Sequence, residues 1–573
     1  MNMTIQLKKA TIFLVFLLSL MSIHSIVYGQ QKKEGNIQND DIILEKERKI
    51  ELKPEISRNF EALEEVENTN KGRKMTYNFV ERKWEVKSPA TLTTSIIGPR
   101  EGDELVSSLG PKFKNMIKVG AGNYGHTLIN GHFGLSPKEN QYQGIYINHD
   151  ANRRGPVGTA FSARNENEVK LHSKIFTGNY LLDGSIGFKR TEANFYGRDG
   201  NKFTGNLNDL NIVYNKFHYT GSIGNAKKDA KYDYTATSGL NYLSTSFENR
   251  EWIWESKIQS VLHVTDQISA YLNGDMVLSE ITSSSNNNRR ELYRVRPSFN
   301  YKNNRVSVTA GINISNEKDK NLSINQTRLF PVVKLDIKPT DFVHIFAGFG
   351  ADTYLNSMNQ FVSENNWMSN NIALKNTIQS SNIYGGIKGS NERNFDFEIK
   401  FGYSEYSNLG FFIASKADSS RFDVVYAGGD KKVQVVNLSG QINYQIFDKI
   451  LSILKYDFNT YENLIVDNSK ALERPFHKPA MNLSFTNSIT FKDRIIVSPD
   501  VFYLGGLYGF NPRNGLAVKM PDIVDLNLKV NYLITKKFNA FVSANNILGK
   551  SYERYLFYPQ QSLNYTVGVA YSF

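Results

Sequence analysis

The sequence predicts an all-β protein: a transmembrane antiparallel β-barrel of about 22 strands, preceded by an extended periplasmic or lumenal segment. Three observations predict this fold. Long segments carry an apolar side chain at every second position, short turns alternate with long loops, and the chain begins with an export signal.

Residues 1–29 have the three parts of a secretory signal peptide. Lys8 and Lys9 form the basic region, residues 10–20 form the apolar core, and small residues suited to cleavage follow. An uncleaved membrane anchor is the alternative, but His24 interrupts the apolar run well short of the ~20 residues that a helical span needs. We therefore expect the mature chain to be exported.

Residues 30–112 differ in composition from the rest of the chain. They are dense in charges of both signs, have little apolar periodicity, and are interrupted by Pro54 and Pro89. This composition favours an extended or partly disordered segment. We expect the segment to lie in the periplasm or to thread into a lumen.

The pattern changes at residue 113 and stays changed to residue 573, which we predict to be the barrel domain. Segments such as "RVSVTAGINIS" (305–315) and "IVDLNLKVNY" (523–532) alternate apolar and polar side chains over nine or more positions. Soluble β-sandwiches and propellers also alternate, but their strands are typically only about five or six residues long. A membrane-spanning strand needs ~9–11 residues, so the lengths favour a transmembrane barrel over a secreted all-β protein.

The last strand has the strongest alternation in the chain. Large apolar side chains occupy the odd positions and small or polar ones the even positions of "LNYTVGVAYSF" (563–573). We expect the odd side chains to face lipid, and the strand to pair with the segment at 537–547 and with the first strand near 114–122. The residues concerned are Tyr565, Val567, Val569, Tyr571 and Phe573.

Connection lengths predict the strand number. Reading back from the C-terminus, tight turns at 535–537, 492–494 and 447–449 alternate with long connections such as 548–561 and 506–522. Short periplasmic turns and long external loops are typical of bacterial outer-membrane barrels. Continuing this pairing to residue 114 gives about 11 hairpins, and therefore about 22 strands.

The polar face of the predicted strands carries full charges, which a membrane barrel would turn toward a wet lumen. These charges could line an anionic path or dock the N-terminal segment; alternatively, they simply pair with their neighbours on adjacent strands. The latter is the favoured interpretation. The candidates are Glu255, Lys257, Arg294, Arg296, Lys334, Asp336, Lys455, Asp457, Asp525 and Lys529.

The loop "SYERYLFYPQQ" (551–561) concentrates aromatic side chains at the predicted external end. Such a cluster could contact a ligand or a protein partner, or it could be the top of the aromatic girdle that marks the membrane interface. The sequence does not separate these two interpretations. The aromatic residues are Tyr552, Tyr555, Phe557 and Tyr558.

Composition and motifs speak against several functions. The chain has no cysteine, which excludes disulfides and thiolate metal sites. His126 and His132 share a strand face but stand ~20 Å apart at ~3.4 Å per residue, too far to clasp one ion. No phosphate-binding loop, dinucleotide fingerprint or hydrolase constellation is apparent, so we expect no enzyme and no cofactor. The formal charge of +12 is spread along the chain, so we expect no nucleic-acid partner.

The C-terminal stretch "FVSANNILGKSYERYLFYPQQSLNYTVGVAYSF" resembles the end of an outer-membrane TonB-dependent receptor. Asn545, Asn546 and Leu548 match an Asn-rich motif after the penultimate strand, Tyr552 lies in the following loop, and Phe573 is the aromatic terminus. The segments "IKVGAGNYGHTLINGHFGLS" and "ERKIELKPEISRNFE" resemble a Bacteroidota group of such barrels. The resemblance implies a Gram-negative outer-membrane protein that contacts lipid and is inserted by the barrel-assembly machinery, which recognises the aromatic end.

The sequence departs from that family at its N-terminus. Only about 80 residues separate the predicted signal from the first strand, too few for a full plug domain, and no convincing TonB-binding motif is present. We therefore expect a receptor-like barrel for ligand binding or transport that lacks a full-length plug. The alternative is an accessory subunit with periplasmic or outer-membrane protein partners, serving barrel assembly, surface-protein export or lipoprotein handling.

Overall fold

The computed structural model describes residues 115–134, 141–157, 160–197, 210–226, 230–283, 287–391, 394–429, 431–446, 449–466, 470–492 and 494–573. The predicted signal peptide and the charged segment 30–112 lie outside the described residues. No described helix is both long and apolar enough to cross a membrane.

Thirty strands are described. The first fifteen are β1 (Asn115–Gly122), β2 (His126–Gly134), β3 (Gln141–Asn152), β4 (Arg164–Thr177), β5 (Tyr180–Asn194), β6 (Asn211–Asn225), β7 (Tyr232–Thr245), β8 (Arg250–His263), β9 (Ile268–Thr282), β10 (Asn287–Lys302), β11 (Val306–Asp319), β12 (Ile324–Thr340), β13 (Val343–Tyr354), β14 (Thr377–Ser390) and β15 (Phe395–Ser407). The others are β16 (Leu409–Ala414), β17 (Phe422–Ala427), β18 (Val433–Ile446), β19 (Ile450–Glu462), β20 (Ile465–Val466), β21 (Lys470–Ala471), β22 (Met481–Phe491), β23 (Ile495–Gly505), β24 (Tyr508–Phe510), β25 (Ala517–Lys519), β26 (Ile523–Leu533), β27 (Phe538–Asn545), β28 (Glu553–Tyr555), β29 (Tyr558–Pro559) and β30 (Asn564–Ser572).

Twenty-two of these strands form one antiparallel sheet that closes on itself, which confirms the predicted fold class and strand number. The barrel strands are β1–β15, β18, β19, β22, β23, β26, β27 and β30. The remaining short strands belong to external loops, as does the helix α1 (Met358–Glu364).

The barrel closes where the first strand meets the last. β30 pairs antiparallel with β27 on one side and with β1 on the other, in the predicted arrangement. Gly120 and Gly568 lie opposite each other at this seam. A Cβ on Gly568 would stand 2.5 Å from the ring of Phe541, so the small even positions of the last strand make room for lumenal side chains.

Side-chain exposure confirms the predicted register of the last strand. Tyr565, Val567 and Tyr571 are 48%, 52% and 45% exposed on the membrane-facing surface. Thr566 and Ala570, on the opposite face, are buried. Because side chains alternate along a strand, one apolar face meets lipid and one polar face meets the lumen.

Connections at the two ends of the barrel differ in length, most clearly in the C-terminal half. β12 and β13 are joined by residues 341–342, and β26 and β27 by residues 534–537. At the opposite, external end, β13 and β14 are joined by residues 355–376 and β27 and β30 by residues 546–563. In the N-terminal half the external connection 246–249, between β7 and β8, is short. The alternation of short and long connections is therefore less clear in that half of the sequence.

The described parts of four external loops fold inward and form what we call the cap: residues 355–376, 408–429 with 431–432, 463–466 with 470–480, and 546–563. Met358, Phe361 and Trp367 of the first loop share one buried cluster with Ile212 and Tyr214, whose side chains lie on the lumenal face of β6. The first loop leaves the wall at β13 yet packs against β6. The cap therefore extends across the external mouth of the barrel.

Candidate functional site: a capped and charged lumen

The centre of the cap is the hairpin formed by β16 and β17. Both of its faces are buried: Phe412 and Phe422 join the cluster that includes Trp367, whereas Phe411 packs on the other side with Tyr406 of the wall. A hairpin with two buried faces cannot lie on the outer surface. It occupies the mouth of the barrel, where its backbone pairs with itself and with β20.

Buried charges of the wall hold both ends of the first cap loop. The carboxylate of Glu251, on β8, accepts hydrogen bonds from the backbone N–H groups of Met358 (3.1 Å) and Asn359 (2.7 Å) at the start of α1. At the end of the loop, Asn376 Oδ1 accepts a hydrogen bond from Arg290 Nη1 on β10 (3.1 Å). Arg290 Nη2 in turn lies 3.9 Å from a carboxylate oxygen of Glu251. The wall therefore fixes the position of this loop through charge-assisted hydrogen bonds.

The aromatic residues of the last loop form part of the cap interior. Tyr555 and Tyr558 are fully buried, Tyr552 is buried and Phe557 is half-buried. The ring of Tyr558 stacks on Trp367 at 3.8 Å between centroids, and the Tyr555 hydroxyl donates to the carbonyl of Glu364 (2.8 Å). Their present contacts are with protein, so a ligand would reach them only if the cap opened.

A cavity of about 600 Å³ lies in the lumen against α1. Three predicted charged residues line it: Glu255, Lys257 and Arg294. Glu364 and Lys478 of the cap line it too, with Lys478 Nζ 3.9 Å from a Glu364 oxygen. The cavity is therefore bounded by the barrel wall and by the cap, and charged side chains of both line it among apolar ones.

Arg294 and Arg296 form a four-membered ion network. Asp275, opposite Arg294 on β9, accepts from both guanidinium groups at 2.6 and 2.5 Å. Asp352, on β13, accepts from both at 3.3 and 3.1 Å. This arrangement agrees with the favoured interpretation, in which lumenal charges pair with one another, although Asp352 does not come from an adjacent strand.

The other predicted charges are distributed around the wall and do not meet in one site. Asp336 contacts His344 Nδ1 (2.7 Å) and Lys388 Nζ (2.8 Å), and Lys334 lies on the same strand. Asp457 accepts from the side-chain amide of Asn437 (2.6 Å). Lys455 lies two residues before Asp457 on β19, so the two share a face.

Asp525 and Lys529 line a second cavity, of about 140 Å³, beside the seam. The Tyr552 hydroxyl donates to Asp525, which attaches the last loop to the wall. Asn546 contributes a second attachment through its backbone N–H, which donates to Asn527 Oδ1 of the wall (2.9 Å). Its side-chain amide ties the loop together by donating to the carbonyls of Lys550 (2.7 Å) and Gln561 (2.9 Å). The Asn-rich motif noted in the sequence therefore has a structural role in this loop.

His477 and Arg554 meet inside the cap. Both are at most 1% exposed, and Arg554 Nη1 donates to the His477 carbonyl at 2.9 Å. Burial, with the nearby Arg554 charge, lowers the pKa of His477 to about 3, so its imidazole is neutral in the closed cap. Burial also lowers the pKa of the Lys478 ammonium.

Sequence reasoning missed several residues that organise this site. Glu251 and Arg290 lie on strands whose alternation placed them in the lumen, but nothing local marked them as loop contacts. Trp367 and the apolar runs of β16 and β17 carried a signal, since buried aromatic residues are unusual in a solvated loop. Among the described residues, no group of three or more His, Asp or Glu is arranged to hold a metal ion.

Comparison with solved structures relates the barrel to outer-membrane receptors. The FrpB iron transporter from Neisseria meningitidis matches with a TM-score of 0.63 at 10% identity, over 82% of this chain and 84% of that chain. The siderophore receptor PiuA from Acinetobacter baumannii matches with a TM-score of 0.62 at 10% identity, over 81% and 82%. The pyoverdine outer membrane receptor FpvA from Pseudomonas aeruginosa PAO1 matches with a TM-score of 0.60 at 11% identity, over 80% and 78%.

No protein-family model matches the sequence, and no curated protein matches it. At 10–11% identity the matches establish a shared fold. They confirm the expected resemblance to TonB-dependent receptors at the level of the barrel. The closed antiparallel barrel of 22 strands and its apolar outer face place the protein in the Gram-negative outer membrane.

Proposed function

We propose that this protein is a gated receptor that binds a small ligand at the external face and admits it through the barrel. The observation that carries the proposal is the folded cap over a charged lumenal cavity. A barrel with a purely structural role would not need a buried hairpin in its mouth. The accessory-subunit alternative has no observation in its favour among the described residues.

Gating requires that the cap separate from the wall or that its loops separate from each other. The contacts between the cap and the wall are of two kinds. Glu251 and Asp525 hold the cap by hydrogen bonds that can be exchanged for water, and Ile212 and Tyr214 of the wall pack in the apolar cluster of the cap. The structural neighbours described as an iron transporter and siderophore receptors suggest ferric complexes as the first ligands to test.

An engineered disulfide across the cap tests the proposal. Because the sequence contains no native cysteine, the two introduced cysteines can pair only with each other within the chain. Ala427 and Val466 are antiparallel partners between the hairpin and β20, a spacing that suits a disulfide. In cells that produce the Ala427→Cys/Val466→Cys variant, uptake of radiolabelled ferric siderophores should be blocked when oxidised and restored by reduction.

The matched control is Ser238→Cys/Ser256→Cys, a paired position within the wall. Oxidation there should leave uptake unchanged, because the wall does not move during gating. Uptake that is the same in the oxidised and reduced cap variants would contradict a gate that opens between these two cap loops. A protein that neither binds nor admits any ferric complex would remove that ligand class from the proposal.

A further inference from the structure

The guanidinium of Arg554 has one edge without a partner although the residue is completely buried. Nη1 donates to the His477 carbonyl at 2.9 Å, but Nε and Nη2 have no hydrogen-bond partner. Nε–H and Nη2–H point the same way and form the side-on fork of the guanidinium. The Tyr555 ring, 5.0 Å from Arg554 Cζ, offsets part of the lost hydration, but the Nε–Nη2 edge has no hydrogen-bond acceptor in the described ranges.

Arg554 also lacks a counter-charge among the described residues. Within the part of the chain that the structure describes, no carboxylate lies within ion-pair distance of it, and the cation nearest along the adjoining loop is Lys478. Arg290 is equally buried and its Nε and Nη2 also lack hydrogen-bond partners, but it has the counter-charge of Glu251 at 3.9 Å and donates to Asn376 at 3.1 Å. The uncompensated charge is therefore a particular property of Arg554 in this cap.

We propose that the closed cap holds a small oxyanion, a carboxylate or a phosphate, on the Nε–Nη2 edge of Arg554. Two parallel N–H donors match two oxygens of such an anion, and Arg is the side chain best suited to this bidentate contact. Lys478 follows His477 in the same loop, and its ammonium, 3.9 Å from a Glu364 oxygen, lines the lumenal cavity.

The anion would stabilise the closed state of the cap. Arg554 belongs to the last external loop, and His477 and Lys478 belong to the loop between β19 and β22. An anion bound between them neutralises the charge that otherwise opposes burial, and it does so only while the loops are together. Opening of the cap would release it.

Hydrogen exchange on the full-length protein in detergent tests this inference, with inorganic phosphate and acetate as separate probes. Amides of residues 470–480 and 553–559 should exchange more slowly as either anion is added. The slowing should keep growing with anion concentration and reach about tenfold at ten times the dissociation constant, because binding to the closed state alone shifts the opening equilibrium by one plus the ratio of the anion concentration to that constant. Sodium chloride at matched ionic strength should not reproduce it.

Two variants locate the effect. Arg554→Met should abolish the anion dependence, whatever it does to the basal stability of the cap. Arg474→Met should keep the dependence, because Arg474 is exposed in the same region and stacks over Tyr508. Calorimetric titration of the unaltered protein gives an independent measure of binding. The inference would be overturned if neither phosphate nor acetate binds, or if the anion still slows exchange in Arg554→Met. A response to only one of the two anions would identify the class of oxyanion.

Discussion

At the residue scale, the lumenal network of Arg294 and Arg296 depends on Asp275. Its carboxylate is 9% exposed and receives hydrogen bonds from both arginines. Asp275→Asn would leave two guanidinium groups to share Asp352 alone. We expect a loss of about 2–4 kcal/mol in the free energy of unfolding, below the full cost of breaking a buried pair because the arginines are partly exposed.

Denaturant unfolding in detergent micelles measures this loss. The matched control is Asp341→Asn, which removes the carboxylate of an exposed ion pair with Lys338. The free energy of unfolding of this control variant should lie within about 0.5 kcal/mol of that of the unaltered protein. Equal stabilities for the two variants would show that the network does not support the wall.

The stability of the closed cap should depend on pH through His477. The pKa of this histidine is about 3 in the closed cap and about 6.5 when it is exposed. The neutral His477 contributes fully to the stability of the closed cap above pH 6.5. This contribution is lost as the pH falls toward 3, because the imidazole of the open state then binds a proton. Opening should become easier by about tenfold per pH unit below 6.5.

Limited proteolysis of the cap between pH 7.5 and pH 5.5 checks this expectation. His477→Asn is the reference variant, because Asn tolerates the backbone φ of +57° at this position and does not titrate. The variant should lose the pH dependence of cleavage relative to the unaltered protein. Identical pH profiles would mean that His477 is not buried in solution.

Strand register determines one of these contacts but not the other. Asp275 was not among the candidates named from the sequence, although it lies directly opposite Arg294 and correct pairing of β9 and β10 is sufficient to find it. Asp352 reaches the same arginines from β13, next to an irregularity in its pairing with β14. Alternation cannot predict a contact that depends on the curvature of the wall and on a local register shift.

At the element scale, the hairpin β16–β17 should hold the cap together. Phe422 is fully buried and contacts the rings of Tyr555 and Tyr558. Phe422→Ala should reduce the stability of the closed cap by about 3–5 kcal/mol, because it removes a large side chain and leaves a cavity. The barrel itself should remain folded, since the wall has its own ladder of hydrogen bonds.

Protease sensitivity of the cap and the mobility of the unheated barrel in gels separate these two effects. The cap of Phe422→Ala should be cleaved much faster than that of the unaltered protein, while the barrel keeps its folded mobility. Leu516→Ala, at a position 54% exposed in a neighbouring loop, should change neither. Loss of the barrel in Phe422→Ala would indicate that cap and wall fold as one unit.

The cap illustrates why strands were easier to predict than loops. A barrel strand can be recognised because apolar and polar side chains alternate along it, one face meeting lipid and the other the lumen. In β16 and β17 both faces are buried, so "LGFFIA" and "FDVVYA" show less of that alternation and appeared to be loop. The apolar composition of β16 and β17 indicated that they are buried. It could not identify the residues they pack against, which include residues of β6 and of the last external loop, more than a hundred positions away.

At the scale of the whole molecule, Phe573 should matter for assembly. It ends the strand that closes the barrel, is 42% exposed on the outer face, and resembles the aromatic terminus that the assembly machinery recognises. Deletion of Phe573 should lower the amount of folded barrel in the outer membrane. Phe573→Tyr is the control and should insert normally; normal abundance of the deletion variant would contradict this role.

The predicted strand number, seam and facing of the last strand were all confirmed, and the reason is physical. Closure of a membrane barrel leaves no free edge, so an even count and a first-to-last pairing follow once the alternating segments are found. The closing of the mouth was not predictable in this way. It depends on packing among four loops whose sequences constrain one another only in three dimensions.

Planar-bilayer conductance tests the central claim, which is that the cap closes the barrel. In the test variant, residues 411–426 are replaced by a two-residue turn, because Gly410 and Ala427 flank the hairpin ends. In the control variant, the exposed tip at 511–516 is shortened. The unaltered protein and the control should stay closed, and the hairpin deletion should give a large, steady conductance. A wide conductance in the unaltered protein, or a deletion variant that stays closed, would contradict the claim.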